Sequence, residues 1–215
     1  AEVTLGQRTA ADKPLAGALR RFEPVRLEAV TAASQVGLWN EYVERFHPLG
    51  YKGAFGYRLR YFIRSGSQHL GCVLLGGAAK AIAVCDRWIG WDERTRLYNL
   101  PRVINNSRFL IFPHVRIPHL ASHVLGQLAR RVRADWQQQW GFTPLLLETF
   151  VDPSRFRGIC YRAAGWELLG ETSGRGLTRP GKSYRSTPRL MLVKPLDDSF
   201  RQRLCAAPLP GTVAP

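Results

Sequence analysis

The chain has 215 residues, 45% of them hydrophobic, which suits one globular domain with a real core. Its apolar runs fall short of the roughly 18 residues a membrane span needs, and Ala1 to Leu15 is polar where a signal peptide has an apolar centre. A formal net charge of +15 and a pI near 10.5 point to a polyanionic partner, DNA or RNA, and no membrane. Cys72, Cys85, Cys160 and Cys205 are far apart, form no metal-binding pair, and suit reduced thiols of a cytoplasmic protein.

Residues 1–24 read as a flexible lead-in. Residues 25–30 alternate as a first strand, and Ser34 is placed to cap a helix reaching Phe46, with Val36, Trp39, Tyr42, Val43 and Phe46 on one face. From Gly56 the pattern becomes strand, then a turn at 65–68, then an apolar strand over 70–75 that 80–84 extend past a glycine-rich bend. Trp88 and Trp91 flank a glycine turn, and a short helix covers 92–98.

The spine is residues 99–141. A strand from about Arg102 ends at Pro113, a basic loop follows, and Leu120, Val124, Leu125, Leu128, Val132, Trp136 and Trp140 then form a helical stripe up to Gly141. Free N–H groups at the start of such a helix favour an anion, and Arg116 beside them adds charge. Within the strand, Asn105 to Arg108 is a polar cluster that lines a cleft or holds a bulge. Beyond the helix the chain predicts a strand over 145–150, a helix over 154–164, a strand over 166–169, a basic loop and a closing strand over 190–193. The order of elements is α+β with a mixed sheet. A single domain over 25–195 and a flexible tail over 196–215 complete the expected organisation.

Cys160-Tyr161-Arg162-Ala163-Ala164-Gly165-Trp166 resembles the late helix-to-strand element of the GNAT acyltransferases, and the order of elements resembles a GNAT domain, whose sheet is mainly antiparallel and flanked by helices. Residues 86–91 (DRWIGW), 105–111 with 119–126, and 146–166 resemble the DruA family of the Druantia anti-phage systems, whose relatives also lie near transposase genes. That resemblance implies a setting in defence or mobile DNA, with other defence or transposon proteins as partners. The GNAT resemblance implies an acyl-CoA or another phosphate-bearing acyl donor, held at Arg116, Ala121 and Ser122, and no metal. GNAT enzymes carry a Gln/Arg-x-x-Gly-x-Gly/Ala loop before the long helix. Here the stretch reads Arg116-Ile117-Pro118-His119-Leu120-Ala121-Ser122: the arginine fits and the glycines are missing.

Glu148, an acid inside an apolar strand run, is the candidate general base, with an ion pair to arginine as the structural alternative. Tyr161 matches the GNAT tyrosine that protonates a leaving thiolate, and the resemblance places both side chains on one cleft. A carboxylate cluster of Asp86, Glu148 and Asp152 would suit a nuclease, but no paired motif supports it. Arg58, Arg60, Arg87, Trp88, Trp91, Arg175, Arg179, Lys182 and Arg185 are the candidate nucleic-acid surface, since arginine grips phosphate and aromatics stack on bases. The alternatives to a transferase acting on or near nucleic acid are a non-catalytic recruitment module that binds DNA or RNA with a degenerate GNAT site, and a nuclease.

Overall fold

A computed structural model of the chain describes residues 3–10, 13–53, 56–174 and 187–207. Its strands are β1 (Leu15–Ala16), β2 (Val25–Ala29), β3 (Arg58–Ser65), β4 (Gln68–Gly77), β5 (Val103–Ile111), β6 (Val115–Arg116), β7 (Leu146–Val151), β8 (Glu167–Glu171) and β9 (Leu190–Pro195). Its helices are α1 (Ala33–Phe46), α2 (Ala83–Ile89), α3 (Glu93–Asn99), α4 (Leu120–Trp140), α5 (Ile159–Ala163) and α6 (Phe200–Leu204). Seven strands are hydrogen-bonded in the order β2-β3-β4-β5-β7-β9-β8. Pairing is antiparallel for β2–β3–β4 and for β7–β9–β8, and parallel for β5–β7. The fold is therefore α+β with a mixed, mainly antiparallel sheet, as the sequence predicts.

Contacts divide the chain into two compact units: 1–76 with 106–128, and 77–105 with 129–215. In the first, α1 lays Trp39, Tyr42 and Val43 inward, and the Tyr42 ring stacks on Phe112 at 4.5 Å. The first turns of α4 bury Leu120, Val124, Leu125 and Leu128, four members of the predicted stripe. Gly6 and Thr9 of the lead-in are anchored to α1. Thr9 is fully buried and its hydroxyl donates to Glu41 at 2.6 Å, while Arg45 reaches back to the Thr9 oxygen at 2.9 Å. A carboxylate taken out of water needs such donors, and they hold Glu41 below the usual carboxylate range. α1 starts one residue before Ser34, without a side-chain cap.

In the second unit the core gathers Cys85, Ile89, Val103, Leu146, Met191 and Val193 with their neighbours. Val132 and Trp136 of α4 are fully buried there. Three expectations are corrected in this unit. Residues 83–89 are helix α2 rather than an extension of β4: Ile82, Cys85 and Ile89 face the same apolar cluster at helical spacing, and Gly90 ends the turn in the left-handed region (φ 87°). The helix predicted over 154–164 shrinks to α5, because Gly158 has φ 66° and the α conformation starts only after it. The tail is not free throughout: α6 buries Phe200 and Leu204, and Asn99 donates to the Leu204 and Ala206 carbonyls at 3.0 Å.

A close backbone approach fixes one position in the first unit. A Cβ on Gly71 would sit 2.1 Å from the Leu110 carbonyl oxygen. Gly71→Ala is therefore expected to destabilise the protein by about 3 kcal/mol or more, since neither backbone can yield without breaking strand pairing. Urea denaturation checks this; a loss below about 1 kcal/mol would show that the two strands do not meet as described.

Candidate active site

The start of α4, in the first unit, is built from a tight set of backbone bonds. β6 pairs in parallel with β1, Val115 against Leu15 and Arg116 against Ala16, which fixes Arg116 just before the helix with its side chain exposed. The Leu120 N–H donates to Ile117 O, and the His119 carbonyl accepts both the His123 N–H and the Ser122 hydroxyl. His119 is the one non-glycine residue with positive φ (65°) among the described residues. That region disfavours a side chain and suits glycine. Counting the acyltransferase pattern from Arg116 places its first glycine at His119 and its Gly/Ala at Ala121. The glycine is missing from the sequence, and His119, which stands at its position, has a positive φ of the kind glycine adopts most readily. The Ala121 and Ser122 N–H groups belong to the first turn, where no helix carbonyl is available to them.

Glu148, in the second unit, sits on β7 opposite Asn105 of β5, at the last of three parallel residue pairs. Its side chain is 2% exposed, and Oε1 accepts the Ala79 N–H at 3.0 Å. No cation pairs with it among the described residues, so the ion-pair alternative does not apply. Burial pushes its carboxyl up to about 7, against the Ala79 bond, which favours the anion; the Asp86 charge adds a smaller upward push. A carboxylate poised near neutrality can exchange a proton with substrate. Ala79 lies 69 residues from Glu148 in sequence, so no local pattern announces this bond.

Tyr161 does not join Glu148. Its hydroxyl is buried and lies 3.4 Å from the Thr149 hydroxyl, and burial raises its pKa. Glu148 and Thr149 are neighbours on a strand and point to opposite faces. The expected shared cleft is therefore corrected: β7 stands between the carboxyl and the phenol. Asp86 accepts from Trp91 Nε1 at 2.8 Å and Arg96 at 3.0 Å, while Asp152 is tied to the Ser154 N–H and hydroxyl. No group of three or more His, Cys, Asp or Glu suited to a metal ion occurs among the described residues.

The expected nucleic-acid residues fare differently. Arg58 and Arg87 are exposed. Arg60 is 8% exposed and is withdrawn from any surface that could grip a backbone. Trp88 stacks on Phe200 at 5.2 Å, carries the Arg201 guanidinium over its ring at 4.9 Å and donates to Glu167, so its ring is engaged in local packing. Arg175, Arg179, Lys182 and Arg185 lie outside the described residues. Asn106 and Arg108 donate to backbone carbonyls, Asn106 to Leu74 and Arg108 to Gly50.

The sequence matches the family described as Druantia protein DruA over residues 7–183. No curated protein matches it. Among solved structures, aminoglycoside acetyltransferase AAC(6')-Ib in complex with coenzyme A and kanamycin is 14% identical, with 83% of this chain and 98% of that one covered and a TM-score of 0.51. A spermidine N-acetyltransferase chimera from Vibrio cholerae and hSSAT is 9% identical, covering 83% and 99%, at 0.49. A Bacillus subtilis acetyltransferase in complex with CoA is 10% identical, covering 79% and 97%, at 0.44. The first likeness shows the acetyltransferase fold.

Glu148 also sets a pH dependence of stability. A carboxyl whose pKa is raised on folding contributes full stability below its unfolded value of about 4.5 and loses it as pH rises through about 7. Glu148→Gln removes that loss. The variant is expected to match wild type near pH 4 and to exceed it by about 3 kcal/mol at pH 8. Denaturant titrations across pH check this; parallel pH profiles would mean that Glu148 is not desolvated in the folded state.

Proposed function

Because this chain belongs to the DruA family and carries an acetyltransferase fold, we propose that it is a cytoplasmic transferase of phage defence or mobile elements. It takes an acyl group from a phosphate-bearing donor such as acyl-CoA and acts on or near nucleic acid. The observation that carries this reading is the backbone at His119. A non-glycine residue is held at φ 65° in the register of the donor loop, at the start of α4. It leaves the Ala121 and Ser122 N–H groups, with Arg116, to receive phosphate oxygens. AAC(6')-Ib, whose fold this chain shares, binds coenzyme A in the structure named above. No helix among the described residues is long and apolar enough to cross a membrane.

The donor supplies an activated acyl carbon. In the second unit, Glu148 offers a carboxyl whose pKa near 7 keeps an anionic fraction able to take a proton at neutral pH. A second reading draws on the separation of Glu148 and Tyr161. With the phenol across the strand, no acid among the described residues stands beside the base for the leaving group, which favours a binding module that recruits partners to DNA or RNA.

Titration with acetyl-CoA separates these readings. Micromolar binding is expected, weakened on the order of 10-fold by Arg116→Ala. His119→Gly keeps the backbone and is expected to keep affinity, whereas His119→Val, β-branched in a left-handed site, loses it. No binding at millimolar donor would remove the transferase reading.

A separate prediction concerns the polyanion. The net charge of +15 and the run of arginines and lysines over 175–189 support contact with phosphate backbones. Affinity for DNA or RNA is expected to fall steeply with salt. Neutralising Arg175, Arg179, Lys182 and Arg185 should flatten the log-log slope by about 3 to 4. A slope unchanged by that variant would place the contact elsewhere.

A further inference from the structure

The loop from β7 to α5, in the second unit, carries a surface that neither the transfer chemistry nor the basic run over 175–189 uses. It reads Pro153-Ser154-Arg155-Phe156-Arg157-Gly158-Ile159, and from Pro153 to Trp166 the chain has three arginines and no acid. Arg155, Arg157 and Arg162 are exposed, and none forms an ion pair among the described residues. Interleaved with them, Phe156 is 55% exposed and Ile159 66%. A large ring standing this far out of water between two free cations packs nothing and is placed for a partner.

The loop is held in shape before any partner arrives. The Asp152 carboxylate accepts the Ser154 N–H at 3.0 Å and the Ser154 hydroxyl at 2.6 Å, and the Asp152 carbonyl accepts the Arg155 and Phe156 N–H groups at 3.2 and 2.9 Å. That turn spends the carboxylate on the loop itself rather than on an arginine. Gly158 is buried at φ 66°, and a Cβ there would stand 3.4 Å from a methyl of Leu192 on β9. The glycine seats the loop against the sheet while Arg157 and Ile159 on either side of it stay in solvent. A ring and cations fixed in this way lose little freedom on binding.

We propose that residues 155–162 bind single-stranded nucleic acid, with Phe156 stacking on an unpaired base and Arg155, Arg157 and Arg162 holding the phosphates beside it. A protein ring stacks on a base face, which a duplex keeps covered and a single strand offers, and the stack accepts any base. An anionic membrane would also meet cations and apolar groups, but membrane binding scales with buried apolar area, and two side chains on a short loop supply little of it. This assignment rests on the polyanion reading above and deepens it, naming the form of the strand and a place of contact.

The test uses the full chain with a mixed-sequence oligonucleotide, single-stranded or annealed to its complement, as DNA and as RNA; the tighter of the two single strands names the source. Phe156→Leu keeps an apolar side chain and removes the ring. It is expected to weaken the single strand at least about 5-fold and to change duplex affinity less than about 2-fold. Arg155→Gln, Arg157→Gln and Arg162→Gln together should flatten the log-log salt slope for the single strand by about 2. Melting temperatures should stay near wild type, because every altered side chain is exposed. Photo-cross-linking through iodouracil bases, mapped by mass spectrometry, should land on Phe156 in the wild-type chain. If no nucleic acid binds, the polyanion reading and this proposal fall together. If nucleic acid binds but Phe156→Leu holds the single strand as tightly as wild type, or loses single strand and duplex equally, this proposal falls and the polyanion reading stands. Binding to phosphatidylserine vesicles that the oligonucleotide does not displace would overturn it in favour of a lipid surface. Should a variant fail to fold, the cross-link in the wild-type chain decides.

Discussion

Desolvated charge is the constraint on which this structure turns. Among the described residues, most cations are exposed and most acids accept hydrogen bonds or pair with a cation. Glu41 is bound by Thr9 and Gly6, Asp197 by Arg133 and Arg203, and Asp86 by Trp91 and Arg96. Among the described residues, Glu148 and Arg60 depart from this pattern. Glu148 is buried in the second unit against a single backbone N–H, and Arg60 is buried in the first against a phenol and an indole face. Taking an ionisable group out of water without a counter-charge is unfavourable, and a chain with fifteen surplus positive charges could readily have supplied Glu148 with an arginine. That it does not do so is what marks Glu148 as a candidate for chemistry.

Backbone geometry carries information that residue identity hides. Judged by letters, the loop before α4 has lost the glycines of an acyltransferase donor loop. Judged by dihedral angles, His119, at the glycine position of that pattern, has the positive φ that glycine adopts most readily. Holding an imidazole-bearing residue there has a conformational cost of order 1 kcal/mol that the surrounding bonds must meet. The Ile117, Ser122 and His123 hydrogen bonds around it do so.

Much of the fold is legible wherever a periodic pattern acts alone. The α4 stripe from Leu120 to Trp136, the β3–β4 hairpin turning at Gly66, and the Asp92 side chain capping α3 at the Thr95 N–H all follow from local rules. The misses come from three causes. Ile82, Cys85 and Ile89 carry a helical pattern that a preceding glycine bend disguises as a continuing strand. Phe200 and Leu204 are a two-residue apolar signal inside a proline-rich tail, too brief to outweigh its surroundings. Glu148 was visible as an acid among apolar neighbours, but its partner Ala79 and the placement of Tyr161 across β7 depend on long-range packing that spacing does not encode.

The claim that Glu148 is a poised, desolvated base is tested most directly by titrating that one side chain. With glutamate labelled at the carboxyl carbon, and Glu148→Gln used to assign its resonance, NMR across pH 3 to 9 reports its midpoint in the folded protein. The account predicts a midpoint near 7, separated from the other glutamates. A midpoint near the ordinary 4.5 would contradict it, because the carboxyl would then be solvated or paired in a way this structure does not contain.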